Sequence, residues 1–188
     1  VDQMIHDSAI VGNHIVIGID RAGIVGEDGE THQGIFDVSI ITAIPGAVIF
    51  SPSCYEELKL CLSEALYREA GLVCLRYPRG NDCTSFDKTD LNVSYTLSSK
   101  RNSSVLLVTY GRIYDELYKA FILLNSEGIS CDILKLTKIF PLEKNMIISV
   151  REYEKIIFFE EGIISGGIGE HFSKELLEYG FKGEYHVK

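Results

Sequence analysis

From Ser104 to Leu136 the chain reads strand, helix, strand. Val105 to Val108 is a short apolar run, Tyr114 to Leu124 carries apolar residues at helical spacing with Gly128 as its stop, and Cys131 to Leu136 is apolar again. Parallel strands need a crossover of this length, so the segment predicts a right-handed βαβ unit and an α/β fold. Similar runs recur at 13–19, 47–50, 71–77 and 155–159. The first of them, Asn13 to Ile19, is nearly continuous and β-branched, the pattern of a strand buried on both faces. Between the runs lie helical patterns, clearest at 53–70, where Leu58, Cys61, Leu62, Ala65 and Leu66 share a face. Ser53 is placed to cap that helix and Glu56 to close a capping box. Residues 81–103 are polar and weakly periodic, which predicts a linker containing a short strand near 92–97.

Composition narrows the class further. With 46% apolar and 24% charged residues, the 188-residue chain is neither disordered nor a repeat scaffold. The 18 Lys and Arg against 27 Asp and Glu give a net charge of −9, unfavourable for nonspecific contact with nucleic acid or an anionic membrane. An anionic ligand therefore needs a local basic pocket. No apolar run approaches the roughly 20 residues needed to span a bilayer, and neither nucleic acid nor membrane is expected as a partner. The five cysteines (Cys54, Cys61, Cys74, Cys83, Cys131) are odd in number and contain no C-x-x-C pair. That pattern predicts reduced thiols and a cytoplasmic setting. The chain opens at Val1 in what reads as the last part of an amphipathic helix (Met4, Ile5, Ala9, Ile10) and stops at Lys188 just after a possible strand. A piece of a longer protein is expected.

The most unusual stretch is Asp20 to Gly34, at the carboxyl end of the run 13–19. Its glycines Gly23, Gly26, Gly29 and Gly34 allow positive φ and close backbone approach, and such loops are where open α/β sheets bind ligands. A second candidate, Arg76-Tyr-Pro-Arg-Gly80, ends the run 71–77. If these two strands are parallel neighbours, Arg21 and Arg79 project from one rim and form a site for a phosphate or carboxylate. The alternative is that each Arg caps a helix or pairs with a carboxylate such as Asp20 or Asp82. His32, four residues after Asp28, has the chemistry of an acid, base or hydrogen-bond donor, although a loop histidine is more often simply exposed. His6, His14, His171 and His186 lack ligand spacing, and no metal site is implied. Ser165-Gly-Gly-Ile-Gly169 matches the dinucleotide fingerprint incompletely and reads as tight helix–strand packing, with Glu160 and Glu161 as a solvated strand end.

These blocks carry a family resemblance. Asp20 to Asp37, Ile44-Pro45, Ser51-Pro-Ser53 and Arg76 to Asn81 resemble, in order and spacing, the 1-deoxy-D-xylulose-5-phosphate synthases of the transketolase superfamily. The likeness continues more loosely through Phe140-Pro-Leu142, Glu160-Glu-Gly162 and the Gly-Gly-x-Gly run. It implies two three-layer αβα units with mostly parallel sheets. Residues 1–82 correspond to the second half of a pyrimidine-binding domain, and 83–188 to a C-terminal domain incomplete at its end.

The activity implied is a transferase reaction that depends on thiamine diphosphate and Mg²⁺. Pyruvate condenses with D-glyceraldehyde 3-phosphate to give 1-deoxy-D-xylulose 5-phosphate and CO₂, a precursor in isoprenoid, thiamine and pyridoxal synthesis. By resemblance Arg21 and Arg79 bind the aldehyde's phosphate and Asp28 binds substrate hydroxyls. His32 hydrogen-bonds the pyruvate-derived intermediate or assists proton transfer. A homodimer is expected from the family. The family's cofactor-activating glutamate, stacking aromatic and diphosphate-binding domain precede the matched region, so no cofactor ligand is expected here and the chain alone is expected to be inactive. The alternatives are a transketolase or split transketolase C-terminal subunit, or a non-catalytic assembly module.

Overall fold

The apolar runs become strands, and the segments between them with apolar residues every three or four positions become helices. A computed structural model describes residues 1–82, 85, 86, 88, 91–99 and 103–188; Cys83 and part of the expected linker lie outside the described residues. After a π-helical segment, Met4–Ile10, the first half contains β1 (Ile15–Ile19), α1 (Asp37–Ile41), β2 (Val48–Phe50), α2 (Tyr55–Tyr67) and β3 (Leu72–Arg76). The second half begins with β4 (Tyr95–Ser98), β5 (Val105–Tyr110), α3 (Ile113–Ser126), β6 (Asp132–Leu136) and β7 (Lys138–Phe140). It ends with α4 (Lys144–Val150), β8 (Lys155–Phe159), α5 (Ile168–Glu178) and β9 (Glu184–Val187). Each apolar run expected as a strand is one, as are the short strand near 92–97 and the one before Lys188.

Two mostly parallel sheets result, which makes the fold α/β. The first has the order β1-β3-β2-β7, with only β7 antiparallel to its neighbour. The second has the order β4-β6-β5-β8-β9, with only β4 antiparallel. The β5-α3-β6 segment is the parallel crossover read from 104–136, and Gly128 follows α3 with a φ of 85° that favours glycine.

One apolar cluster runs between the sheets, joining Ile49 and Cys74 of the first to Leu106, Val108, Leu134, Ile156 and Phe158 of the second. A buried ion pair between Glu57 on α2 and Lys135 on β6 crosses the same junction. Ser53 N donates to Glu57 Oε2 at 2.8 Å and Thr137 Oγ1 donates to Oε1 at 3.3 Å. The Lys135 ammonium also lies 5.4 and 5.2 Å from the ring centres of Phe86 and Tyr114. Satisfying both partners in this way offsets the cost of taking two charges out of water.

Thr137 is the single residue between β6 and β7, and there the chain passes from one sheet to the other. Its N–H donates to Ser94 O at 2.8 Å, while its carbonyl accepts from Ser51 N at 2.7 Å. Strand β7 was not legible in the sequence, because three residues after an apolar run look like its continuation.

Three local expectations are corrected. β1 is an edge strand of half-buried residues, since only β3 flanks it. The inward face of α2 is Glu57, Cys61 and Ala65, leaving Leu62 and Leu66 exposed. Cys54, not Ser53, is the N-cap, and the carboxylate folding back on the chain is that of Glu57. Glu56 instead accepts from Lys88 Nζ at 3.0 Å.

Candidate active site

In the parallel register of β1 and β3, Ile19 lies opposite Arg76, so both strands release the chain at one rim. The pairing continues one step beyond the strands. Tyr77 N donates to Ile19 O and Ala22 N donates to Tyr77 O, both at 3.0 Å. From that rim the segment 20–34 forms a closed loop. Gly23 and Gly34 exchange two backbone hydrogen bonds, at 2.8 and 2.9 Å, across its neck. A Cβ on Gly34 would press on the Ala22 backbone, and Gly23 has a φ of 84°. Gly26 and Gly29 meet neither constraint, so positive φ or close backbone approach requires only two of the four loop glycines.

The loop is templated from inside by Gln33. Its Oε1 accepts from Val25 N at 2.8 Å, and its Nε2 donates to the carbonyls of Val25, Asp28 and Gly29 at 3.1–3.2 Å. Sequence reasoning passed over this residue. A primary amide with donors and an acceptor, set among glycines, is the available signal.

The two arginines do meet. Arg79 Nη1 lies 2.9 Å from Asp28 Oδ1 and Arg21 Nη1 lies 3.7 Å from the same oxygen. Arg79 Nη2 is also 3.4 Å from Glu27 Oε2, an exposed carboxylate. The pairing partner is thus Asp28, rather than Asp20 or Asp82. Both guanidinium groups remain about half exposed, at 49% and 46%, while the Asp28 carboxylate is 8% exposed. Its second oxygen, Oδ2, is buried and accepts nothing from the described residues. Arg21 holds a φ of 54°, a left-handed conformation that costs a non-glycine residue about 1–2 kcal/mol. The surrounding backbone bonds therefore over-determine the placement of this side chain. His32 ends a short 3₁₀ turn, Glu30–His32, and is exposed, its Nδ1 2.9 Å from Thr31 Oγ1. It shares the loop with Asp28 without joining the Arg21–Asp28–Arg79 cluster.

Beneath the rim lies a buried polar layer centred on Arg76, which is 4% exposed. Its Nε donates to Asp37 Oδ2 at 2.7 Å, and its Nη2 donates to Gly34 O at 3.2 Å and Glu161 O at 3.0 Å. The guanidinium lies 5.6 Å from the Tyr110 ring centre. A charged residue closing an otherwise apolar strand was the sequence signal for this role.

Glu160 and Glu161 are not a solvated strand end. Glu160 accepts from Tyr110 Oη and Ile168 N at 3.0 Å and from Gly169 N at 3.2 Å, so it caps α5. The Gly-Gly-x-Gly run thus serves helix–strand packing, as its incomplete fingerprint indicated. Burial pushes the Glu160 carboxyl above the usual carboxylate range, against the opposing pull of those donors and Arg76. Burial also raises Glu161, opposed by Arg112, Arg76 and the Ile24 amide.

Comparison with known proteins bears on the family. Residues 1–83 match the family model described as transketolase, pyrimidine binding domain, and residues 94–186 match that described as transketolase, C-terminal domain. The chain belongs to the transketolase family. It is 38% identical over 180 residues to a 1-deoxy-D-xylulose-5-phosphate synthase of Chlorobium luteolum, covering 94% of this chain and 28% of that protein. The synthase of Clostridium beijerinckii is 36% identical over 186 residues, covering 97% and 30%, and that of Helicobacter pylori (strain 26695) is 34% identical over 180 residues, covering 94% and 29%. The chain thus spans just under a third of the length of these curated relatives. A solved split gene transketolase, described as an inactive beta4 tetramer, superposes with a TM-score of 0.84 at 19% identity. It covers 99% of this chain and 60% of that one, a likeness of fold.

Among the described residues one group has the spacing of metal ligands: Cys54, Glu56 and Asp82. Lys88 Nζ lies 2.5 Å from Asp82 Oδ2 and 3.0 Å from Glu56 Oε2, so an ammonium already pairs with both carboxylates. A buried soft thiol is also a poor partner for Mg²⁺, which takes oxygen ligands in octahedral array. This cluster does not fit a Mg²⁺–diphosphate site.

Proposed function

We propose that this chain is part of a 1-deoxy-D-xylulose-5-phosphate synthase, a transferase condensing pyruvate with D-glyceraldehyde 3-phosphate and releasing CO₂. The observation that carries the reading is the convergence of Arg21 and Arg79 on Asp28 at one strand rim. Two planar forks, half open to solvent, offer the bidentate donors that a phosphate monoester requires. In this reading they bind the phosphate of the acceptor aldehyde. Asp28 orients them through Oδ1, and its unpartnered Oδ2 is an acceptor for a substrate hydroxyl. His32, exposed on the same loop, moves a proton at the acceptor carbon or oxygen.

The same reading includes dependence on thiamine diphosphate and Mg²⁺ and a cytoplasmic homodimer. The Cys54–Glu56–Asp82 cluster does not fit Mg²⁺–diphosphate, and in this reading the cofactor is held by other parts of the whole protein, so the 188 residues alone are expected not to turn over. The test is product formation by the full-length protein with thiamine diphosphate and Mg²⁺, comparing pyruvate plus D-glyceraldehyde 3-phosphate with xylulose 5-phosphate plus ribose 5-phosphate. Deoxyxylulose phosphate from the first pair is the expected result. Turnover of the second pair alone would make the enzyme a transketolase.

A further inference from the structure

Both ends of the loop 20–34 are held by one segment of the second half of the chain, residues 161–163. At the far end, Ile163 N donates to Ile35 O at 3.2 Å. At the same end, the Glu161 carbonyl accepts from Arg76 Nη2 at 3.0 Å, and the same Arg76 nitrogen donates to Gly34 O. The Glu161 side chain then lies against the turn itself. Its carboxylate fills the space where a Cβ on Gly23 would project, packed directly against that glycine. This is the turn in which Arg21 is held at a φ of 54°, a conformation that needs outside support to persist.

We infer that Glu161 is a positioning residue, fixing the Arg21–Ile24 turn so that the Arg21 guanidinium faces the phosphate of the acceptor. The inference rests on the reading of Arg21 as a phosphate ligand, and it assigns part of that site's affinity to a residue of the C-terminal half. Glu161 does not contact the substrate. By charge alone a carboxylate near a phosphate site weakens binding, so the electrostatic and positioning roles predict effects of opposite sign.

Two variants of the full-length protein separate them. Glu161→Gln loses the charge and keeps the length that reaches Gly23, whereas Glu161→Asp keeps the charge and loses the reach. Glu161→Asp is expected to raise KM for D-glyceraldehyde 3-phosphate about tenfold, with KM for pyruvate and for unphosphorylated D-glyceraldehyde unchanged, while Glu161→Gln stays within about twofold of wild type. Hydrogen exchange at the Gly23 and Ile24 amides should quicken in Glu161→Asp and not in Glu161→Gln. Equal effects of the two variants, or tighter phosphate binding in Glu161→Gln with Glu161→Asp unchanged, would overturn the inference. If wild type forms no deoxyxylulose phosphate, the proposed function fails first. The inference then stands or falls on the same order of variants in titrations with inorganic phosphate.

Discussion

Glu57 and Lys135, 78 residues apart in the chain, form an ion pair with both side chains buried, a polar bond that ties the first sheet's helix to the second sheet. Removing one partner leaves the other charge stranded in a low-dielectric interior. Glu57→Ala or Lys135→Ala is expected to cost about 3–5 kcal/mol, while the paired replacement Glu57→Met with Lys135→Met costs far less. Urea unfolding of the four proteins measures the difference.

The loop glycines divide into two kinds. Gly23→Ala meets both a positive φ and the Glu161 carboxylate and is expected to destabilise by about 1–3 kcal/mol. Gly26→Ala and Gly29→Ala, with open space around them, should stay within about 0.5 kcal/mol of wild type. Thermal or urea midpoints suffice to rank them.

Arg79→Ala in the full-length protein removes one of the two forks converging on Asp28. Loss of a charged hydrogen bond to phosphate should cost about 1.5–3 kcal/mol, seen mainly as a raised KM for the aldehyde phosphate. Arg79→Lys recovers only part of this, since an ammonium cannot bond bidentately. A rise in the pyruvate KM instead would reassign the residue.

The Glu160 carboxyl is raised above its ordinary value of 4.5, by burial first. A group that holds its proton more tightly when folded stabilises the fold at low pH. That contribution is lost as pH rises from the unfolded value through the folded one. Glu160→Gln cannot ionise, so it should lose less stability than wild type on passing from acid to neutral pH. Denaturant midpoints for both proteins across that interval test the sign.

The sequence made legible whatever depends on local pattern and short spacing. Strands β1, β3, β5, β6 and β8 follow from apolar runs, and the meeting of Arg21 with Arg79 follows from two motifs at the ends of adjacent parallel strands. Features set by distant partners were not legible. Glu57 looks like an outward helix residue until Lys135 is known to face it. Glu160 and Glu161 look like a wet strand end until α5 presents its free amides and the glycine loop packs against them. The resemblance implies a substrate ligand in Asp28, and the fold makes the same carboxylate the ion-pair partner of both arginines.

A chain that changes sheets at one residue has no slack there. Thr137 is hydrogen-bonded to both sheets at once, and residues 138–140 complete the sheet begun by residues 15–76. The polar stretch 81–103 is therefore a boundary in sequence but not in space. Cleavage within it would leave two interlocked pieces, each lacking a strand or a surface that only the other supplies. The strand rim that carries Arg21 and Arg79 therefore belongs to a sheet that the C-terminal half completes.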